Sequence, residues 1–319
     1  MSLFPLVAVL LIEQIWPLPY RQVVHEPLSR LARFLEGLFN AGERSHGLIA
    51  WLIAVGGLVL VVGSVHLALH FLNPLLAWLW SILILYLTMG FRQCSHYYTD
   101  IQLALRMDDL PHARKLLSEW RGRSADGLSS SDIARLAIEE VLSASHRHVF
   151  GVLVCFVLLP GPCGAVLYRA AAFFAEVWGK RTDADAGDFG KFLAQQAFAV
   201  IDWLPLRVTA TGFAIVGDFE DAVYCWRTQA DKWPDTQLGS GIGIVLASGA
   251  GALGVRLGMP VVEAGEIADR AEMGTGDEAD VDFMQSAVGL IWRALLLWLL
   301  LLLLLGFCQS GGFVIDKYT

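Results

Sequence analysis

Asp202, Pro205 and Arg207 sit in the run Ile201-Asp-Trp-Leu-Pro-Leu-Arg-Val-Thr209, which is otherwise apolar enough for a membrane helix. A charge near the middle of a spanning helix costs roughly 2.5–3.5 kcal/mol on insertion scales, so such residues face a partner, a cavity or a ligand. Asp202 and Arg207 are separated by about 500° of helical rotation, and they meet as an ion pair only if Pro205 bends the backbone between them. A structural pair or cap is one reading, and a ligand contact is the other. Arg114, Arg121 and Arg123 flank a Gly- and Ser-rich loop. Their guanidinium forks suit a phosphate or carboxylate, and the same residues equally suit a solvated or lipid-facing cluster. His66 and His70 have the i, i+4 spacing at which two imidazoles share a metal, but without a third ligand they read as polar packing between helices or at the interface. Glu139, Glu140, His146 and His148 include candidate proton-transfer groups, although no nucleophile–base–orienter set can be read from their spacing. Cys94, Cys155, Cys163, Cys225 and Cys308 form no C-x-x-C pair, so neither a disulfide framework nor a zinc site is indicated.

The elements that must carry these residues are membrane helices. The chain has 319 residues, 55% of them hydrophobic and 17% charged, against about 25% charged in soluble domains. Ala294 to Phe307, extended by Val288 to Trp292, reaches the ~20 apolar residues that cross a hydrocarbon core, and Arg293 lies near enough to one end to snorkel. Leu48–Leu72 and Leu75–Met89 form a hydrophobic pair joined by Asn73-Pro74, the turn chemistry of a membrane hairpin. Val149–Ala175 is broken at Pro160-Gly161-Pro162, which predicts a re-entrant or broken helix. Phe192–Val216 is a further span, and the small residues of Gly239–Gly258 let helices approach closely. The pattern predicts an all-α, polytopic membrane helical bundle in one domain over residues 1–319, with five spans and one or two short or re-entrant segments. Met1–Ile15 reads as a retained apolar segment, since it has no basic start and no small-residue cleavage site.

Residues 20–44 carry apolar positions at helical spacing and predict an interfacial amphipathic helix. Residues 91–148 form the largest polar stretch, rich in arginine, and read as a cytoplasmic helical insertion by the positive-inside rule. Within it, Thr99–Glu119 reads as one amphipathic helix, and Ser131-Asp132 caps another that runs to about Ser145. Residues 259–286 form an acidic loop that supplies most of the net charge of −8. With no sustained basic stripe, a nucleic-acid partner is not expected. The partners implied are the lipid bilayer and either a small anionic ligand or another membrane protein. No inverted repeat supports a transporter.

Four blocks, in order, carry a family resemblance. Ala113-Arg-Lys-Leu-Leu-Ser-Glu-Trp-Arg-Gly-Arg-Ser124 resembles A-R-x-x-L-S-x-x-V-G-R-D. Cys163-Gly-Ala-Val-Leu-Tyr-Arg169 resembles P-G-A-L-L-Y-R. Asp202-Trp-Leu-Pro-Leu-Arg-Val-Thr209 resembles N-x-I-P-A-R-L-T. Ala250-Gly-Ala-Leu-Gly-Val-Arg-Leu-Gly-Met-Pro260 resembles A-G-A-L-G-V-x-L-G-G-P. These are blocks of the CobD/CbiB superfamily of integral membrane proteins, which includes adenosylcobinamide-phosphate synthases and the AmpE proteins linked to β-lactamase regulation. The resemblance spans about residues 100 to 258 and implies Arg114, Arg123, Arg169, Asp202 and Arg207 as ligand-binding candidates in a retained pocket.

Acids and amides of the synthase pattern are replaced between the blocks. The A-E-N-x-x-D segment becomes Ala144-Ser-His-Arg-His148, V-N-T-L-D becomes Ala171-Ala-Phe-Phe-Ala175, D-D becomes Phe198-Ala199, and S-P-N-A-G-W-P-E becomes Gly239–Leu246. Phosphoryl transfer relies on acidic residues that hold Mg²⁺ beside cationic clamps. Meanwhile Ile201–Thr209 and Gly217-Asp-Phe-Glu-Asp-Ala222 look like the AmpE segments L-D-W-V-P-V-R-L-A and G-x-x-E-K-A. The expectation is therefore an AmpE-like protein of the bacterial inner membrane, non-catalytic, without catalytic residues, cofactor or metal, and with a sensing or regulatory role. The alternative is a divergent adenosylcobinamide-phosphate synthase that uses ATP and Mg²⁺ to join aminopropanol phosphate to the corrinoid adenosylcobyric acid.

Overall fold

The computed structural model describes residues 3–15, 24–39, 44–179, 191–233, 241–263, 266–268 and 270–315. Its helices are α1 (Leu3–Ile15), α2 (Glu26–Phe39), α3 (Arg44–Trp51), α4 (Gly57–Leu72), α5 (Pro74–Thr88), α6 (Phe91–Arg106), α7 (Leu110–Arg121), α8 (Ser130–Ser145), α9 (Gly151–Leu158), α10 (Cys163–Gly179), α11 (Lys191–Val216), α12 (Phe219–Gln229), α13 (Ile242–Leu253) and α14 (Val281–Ile315). Two π-turns, Leu52–Gly56 and His146–Phe150, join α3 to α4 and α8 to α9 without a break. The start of the stretch Gly239–Leu246 lies outside the described residues.

This is the all-α membrane bundle that the composition demands. Among the described residues four helical stretches are long and apolar enough to cross a membrane: Ile49–Leu72, Ser130–Leu158, Gln195–Val216 and Val281–Gly306. Three shorter apolar helices accompany them, Phe4–Glu13, Pro74–Thr88 and Ile242–Leu253, so four stretches rather than five reach spanning length. Their surroundings differ sharply. Of the apolar window in Ser130–Leu158, 72% is buried inside the protein, against 11% in Ile49–Leu72. The α8–α9 rod is thus the axis of the bundle, wrapped by α6, α7, α11, α13 and α14, whereas α4 turns exposed side chains such as Leu60, Leu67 and Phe71 outward to lipid.

Local chemistry sets the boundaries. Asn73 caps α5 by accepting from the Leu75 amide, and Pro74 occupies the first turn, where its missing donor costs nothing. α9 ends at Leu158 and α10 begins at Cys163, the break that Pro160-Gly161-Pro162 predicts. The expected single helix Thr99–Glu119 is two: Asp108 has φ 59, Asp109 caps α7, and Pro111 stands in the first turn of α7. A helix-spaced apolar face continues through that turn, so periodicity alone runs the two helices together. The cap of α8 is Ser129, in a reciprocal box with Asp132, rather than Ser131-Asp132.

Long-range polar contacts lock the axis. The Tyr98 hydroxyl donates to the Met284 carbonyl at 2.8 Å, and burial pushes that phenol far above its usual range. Ser248 donates to the Ala210 carbonyl at 2.8 Å, joining α13 to α11. Gly243 and Gly251 admit the backbone carbonyls of Ala230 and Asp221, space that a Cβ would fill, as the small-residue stretch predicts. Between α13 and α14, β1 (Val255–Arg256) pairs in parallel with β4 (Asp277–Glu278), and β2 (Val261–Glu263) pairs antiparallel with β3 (Glu266–Ala268).

Candidate functional site

The π-turn His146–Phe150 separates two polar regions. On one side His146, fully buried, meets residues of two other helices. Its Nε2 lies 2.9 Å from Asp202 Oδ1 on α11, and its Nδ1 lies 2.9 Å from Thr209 Oγ1, two turns further along α11. The Tyr168 hydroxyl of α10 donates to the same Asp202 oxygen at 3.0 Å. Thr209 donates to the Pro205 carbonyl at 2.9 Å. Tyr168 reaches this spot because position 151 is glycine: a Cβ there would overlap the Tyr168 ring. Each polar group has a short-range partner, as groups in an apolar core require.

On the other side the same turn presents Arg147 and His148, both half-buried. Arg147 and Arg169 of α10 act electrostatically on His148. Glu140, about two turns earlier, interacts with Arg121, Arg147, Glu176 and Arg270, with Arg121 Nε 4.0 Å from Glu140 Oε2. Glu139 is buried and bound: its Oε1 accepts from the Gly258 amide at 2.9 Å and its Oε2 from Arg270 Nη1 at 3.0 Å. Arg135 bonds Asp132 at 2.6 Å and reaches the Met259 sulfur at 3.4 Å. Arg121, Arg135, Arg147 and Arg270 thus gather around Glu139 and Glu140, with Glu176 beside Glu140 and Arg169 joining through His148. Arg270 bonds Glu139 and Arg135 bonds Asp132, and the neighbouring Arg121, Arg147 and Arg169 bring further guanidinium forks to the same region, groups whose geometry suits phosphate or carboxylate.

The sequence candidates are placed apart. Arg114 directs Nε and Nη2 onto the Leu128 carbonyl at 2.9 and 2.6 Å, tying down the loop after α7. Arg123 lies exposed in that loop, just after Gly122, the left-handed cap of α7. Asp202 belongs to the His146 network. Arg207 does not meet Asp202: α11 runs through Pro205 as one helix, and Arg207 donates to the Trp203 carbonyl at 2.9 Å while stacking 4.0 Å from the Trp203 ring centroid. Arg169 stands in the cationic cluster. His66 contacts Ser81 at 3.4 Å and packs its ring on Gly161, with His70 stacked beyond it, which is packing between helices.

Spacing could not reveal His146 with Asp202, because 56 residues separate them. A signal was nevertheless present. Tyr168 lies in the Cys163–Arg169 block, and Asp202 and Thr209 bound the next one, so the polar residues of two blocks converge on a single network.

The family described as CobD/Cbib protein matches residues 7–291. The chain belongs to the CobD/CbiB family. It is 34% identical over 315 residues to a protein of Stutzerimonas stutzeri named cobalamin biosynthesis protein CobD, covering 97% of this chain and 100% of that one. It is also 34% identical over 225 residues to a CobD of Chromobacterium violaceum, 70% of each chain, and 25% identical over 308 residues to the CbiB of Salmonella typhimurium, 91% of each. No solved structure matches. These CobD/CbiB relatives, named for cobalamin biosynthesis, overturn the expectation of an AmpE-like, non-catalytic protein with a sensing or regulatory role. That expectation counted acids only at matched motif positions. The fold recruits Glu139, Glu140 and Glu176 from outside those positions to the arginine cluster.

Proposed function

We propose that this CobD/CbiB protein is an adenosylcobinamide-phosphate synthase, joining the amine of aminopropanol phosphate to a carboxylate of adenosylcobyric acid. The observation that carries this reading is the end-to-end similarity to a cobalamin biosynthesis protein CobD, together with an anion cradle that suits a phosphorylated amine. Arg121, Arg147 and Arg169 hold the phosphate, and substrates without it lose that attraction. The amine nitrogen attacks the carbonyl carbon of the activated carboxyl. A C–N bond forms, the activated C–O bond breaks with its electron pair on the leaving group, and the amine gives up a proton, for which Glu140 is the partly exposed acceptor in the cradle.

Activation of the carboxyl falls to ATP. Among the described residues no group of three or more His, Cys, Asp or Glu is placed to hold a metal ion, so a Mg²⁺ cage built from side chains alone does not fit. Mg²⁺ carried on nucleotide phosphates needs only one or two carboxylates, and Glu176 would meet that smaller demand, leaving Glu140 for the amine proton. The arginine-rich residues 91–129, which precede the candidate span Ser130–Leu158, would face the cytoplasm by the positive-inside rule, the side on which corrinoid, aminopropanol phosphate and nucleotide would be met.

The test is replacement of a deleted synthase gene by this one. Recovery of corrinoid-dependent growth from adenosylcobyric acid supports the proposal. A folded, membrane-inserted protein that neither restores growth nor forms the amide in membranes removes it.

A further inference from the structure

The hydrogen bonds around His146 tie three helices together. Thr209 donates to the Pro205 carbonyl, and its Oγ1 lies 2.9 Å from His146 Nδ1. Tyr168 gives its proton to Asp202 Oδ1, and His146 Nε2 lies 2.9 Å from the same oxygen. His146 is thus held at both ring nitrogens by two positions of α11, and losing either His146 or Asp202 leaves buried polar atoms unmatched.

Arg147 links the network to the cationic cluster. Arg147 follows His146 in the π-turn, acts on Glu140 and His148 on the cluster side, and acts on Tyr168 on the network side. Single π-bulges inserted in α-helices are frequently found at functional sites, and here the bulge aims successive side chains at different partners. Asp202, a sequence candidate for ligand contact, is buried against His146 instead.

We propose that His146 and Asp202 are positioning residues, whose hydrogen-bonded pair pins the π-turn so that Arg147 and His148 are aimed into the anion cradle. They touch no substrate and act through Arg147. The inference rests on the cradle being the phosphate site, and its test therefore includes binding of inorganic phosphate, which needs neither corrinoid nor catalysis.

The experiment uses the full-length protein in detergent or nanodiscs, with Asp202→Asn, His146→Gln, the double variant, Tyr168→Phe and Arg147→Ala. Asp202→Asn removes the carboxylate charge that Tyr168 and His146 both contact and with it the stronger, charge-assisted hydrogen bonds. Phosphate affinity is expected to fall at least about tenfold in Asp202→Asn and His146→Gln. The double variant should be no weaker than either single one, since both break the same pair. Adding Arg147→Ala to Asp202→Asn should cost nothing further. In turnover the KM for aminopropanol phosphate rises while kcat changes less. Tyr168→Phe keeps the hydrogen-bonded pair and is expected to show a smaller loss.

Unchanged phosphate affinity in folded Asp202→Asn overturns the inference, as does a fully additive combination with Arg147→Ala. A fall in kcat with unchanged KM also overturns it, because it places the pair at the reacting atoms. Should the protein bind phosphate with these dependences yet make no amide, the proposed reaction fails and the positioning role stands.

Discussion

The two polar regions on either side of the π-turn His146–Phe150 solve opposite problems. The His146–Asp202–Tyr168–Thr209 network is closed: its members are buried and their hydrogen bonds are short. The arginine cluster is open. Glu140 keeps 37% of its side chain exposed and meets Arg121 only at 4.0 Å. A closed network specifies geometry, because leaving any member unmatched is costly. A partly exposed, cation-rich cluster tolerates loss of a member more easily. The difference teaches that a buried charge in a membrane protein need not mark the ligand. Here Asp202 belongs to a closed network, and the proposed function gives ligand binding to the half-buried arginines instead.

Substitutions should separate the two regions by what they damage. Asp202→Ala is expected to have the largest effect on stability, about 3–5 kcal/mol, the range for stripping one partner from a buried ion pair; thermal unfolding in detergent, beside folded yield, checks it. Gly151→Ala pushes on the Tyr168 ring and should cost about 1–3 kcal/mol as an overpacked core does, with the same assay. Arg147→Ala and Arg169→Ala should leave stability within about 1 kcal/mol, since half-exposed ion pairs contribute little. Their KM for aminopropanol phosphate should rise about tenfold, equivalent to about 1.4 kcal/mol. Arg207→Ala removes a partly exposed stack on Trp203 and should alter stability by about 0.5–1 kcal/mol or less, with no change in KM. A large loss from Arg207→Ala, or a small one from Asp202→Ala, would break the contrast.

Much of the fold is legible in the residues. The Asn73-Pro74 turn, the break at Pro160-Gly161-Pro162, the amphipathic helix near residues 26–39 and the Gly-rich packing helix each follow from local chemistry that tertiary context does not override. The split between α6 and α7 was equally written, in Asp109 and Pro111, but a continuous apolar face masked it. The candidate site was legible only in part. Asp202 and Arg207 announce themselves as costly charges, yet their neighbours in sequence are not their partners. His146 and Glu140 were visible as titratable groups without roles, because a role arises only when α8, α10 and α11 come together. Motif comparison misled in a specific way: it scored the acids lost from fixed positions and could not see those that the fold supplies from others.

The most direct measurement is amide formation by the purified protein with adenosylcobyric acid, ATP and Mg²⁺, comparing aminopropanol phosphate with unphosphorylated aminopropanol in wild type, Arg147→Ala and Arg169→Ala. The account predicts product from wild type with a clear preference for the phosphorylated amine, and a preference much reduced in both variants. Absence of product from folded wild-type protein, or a preference that survives loss of both arginines, would contradict it.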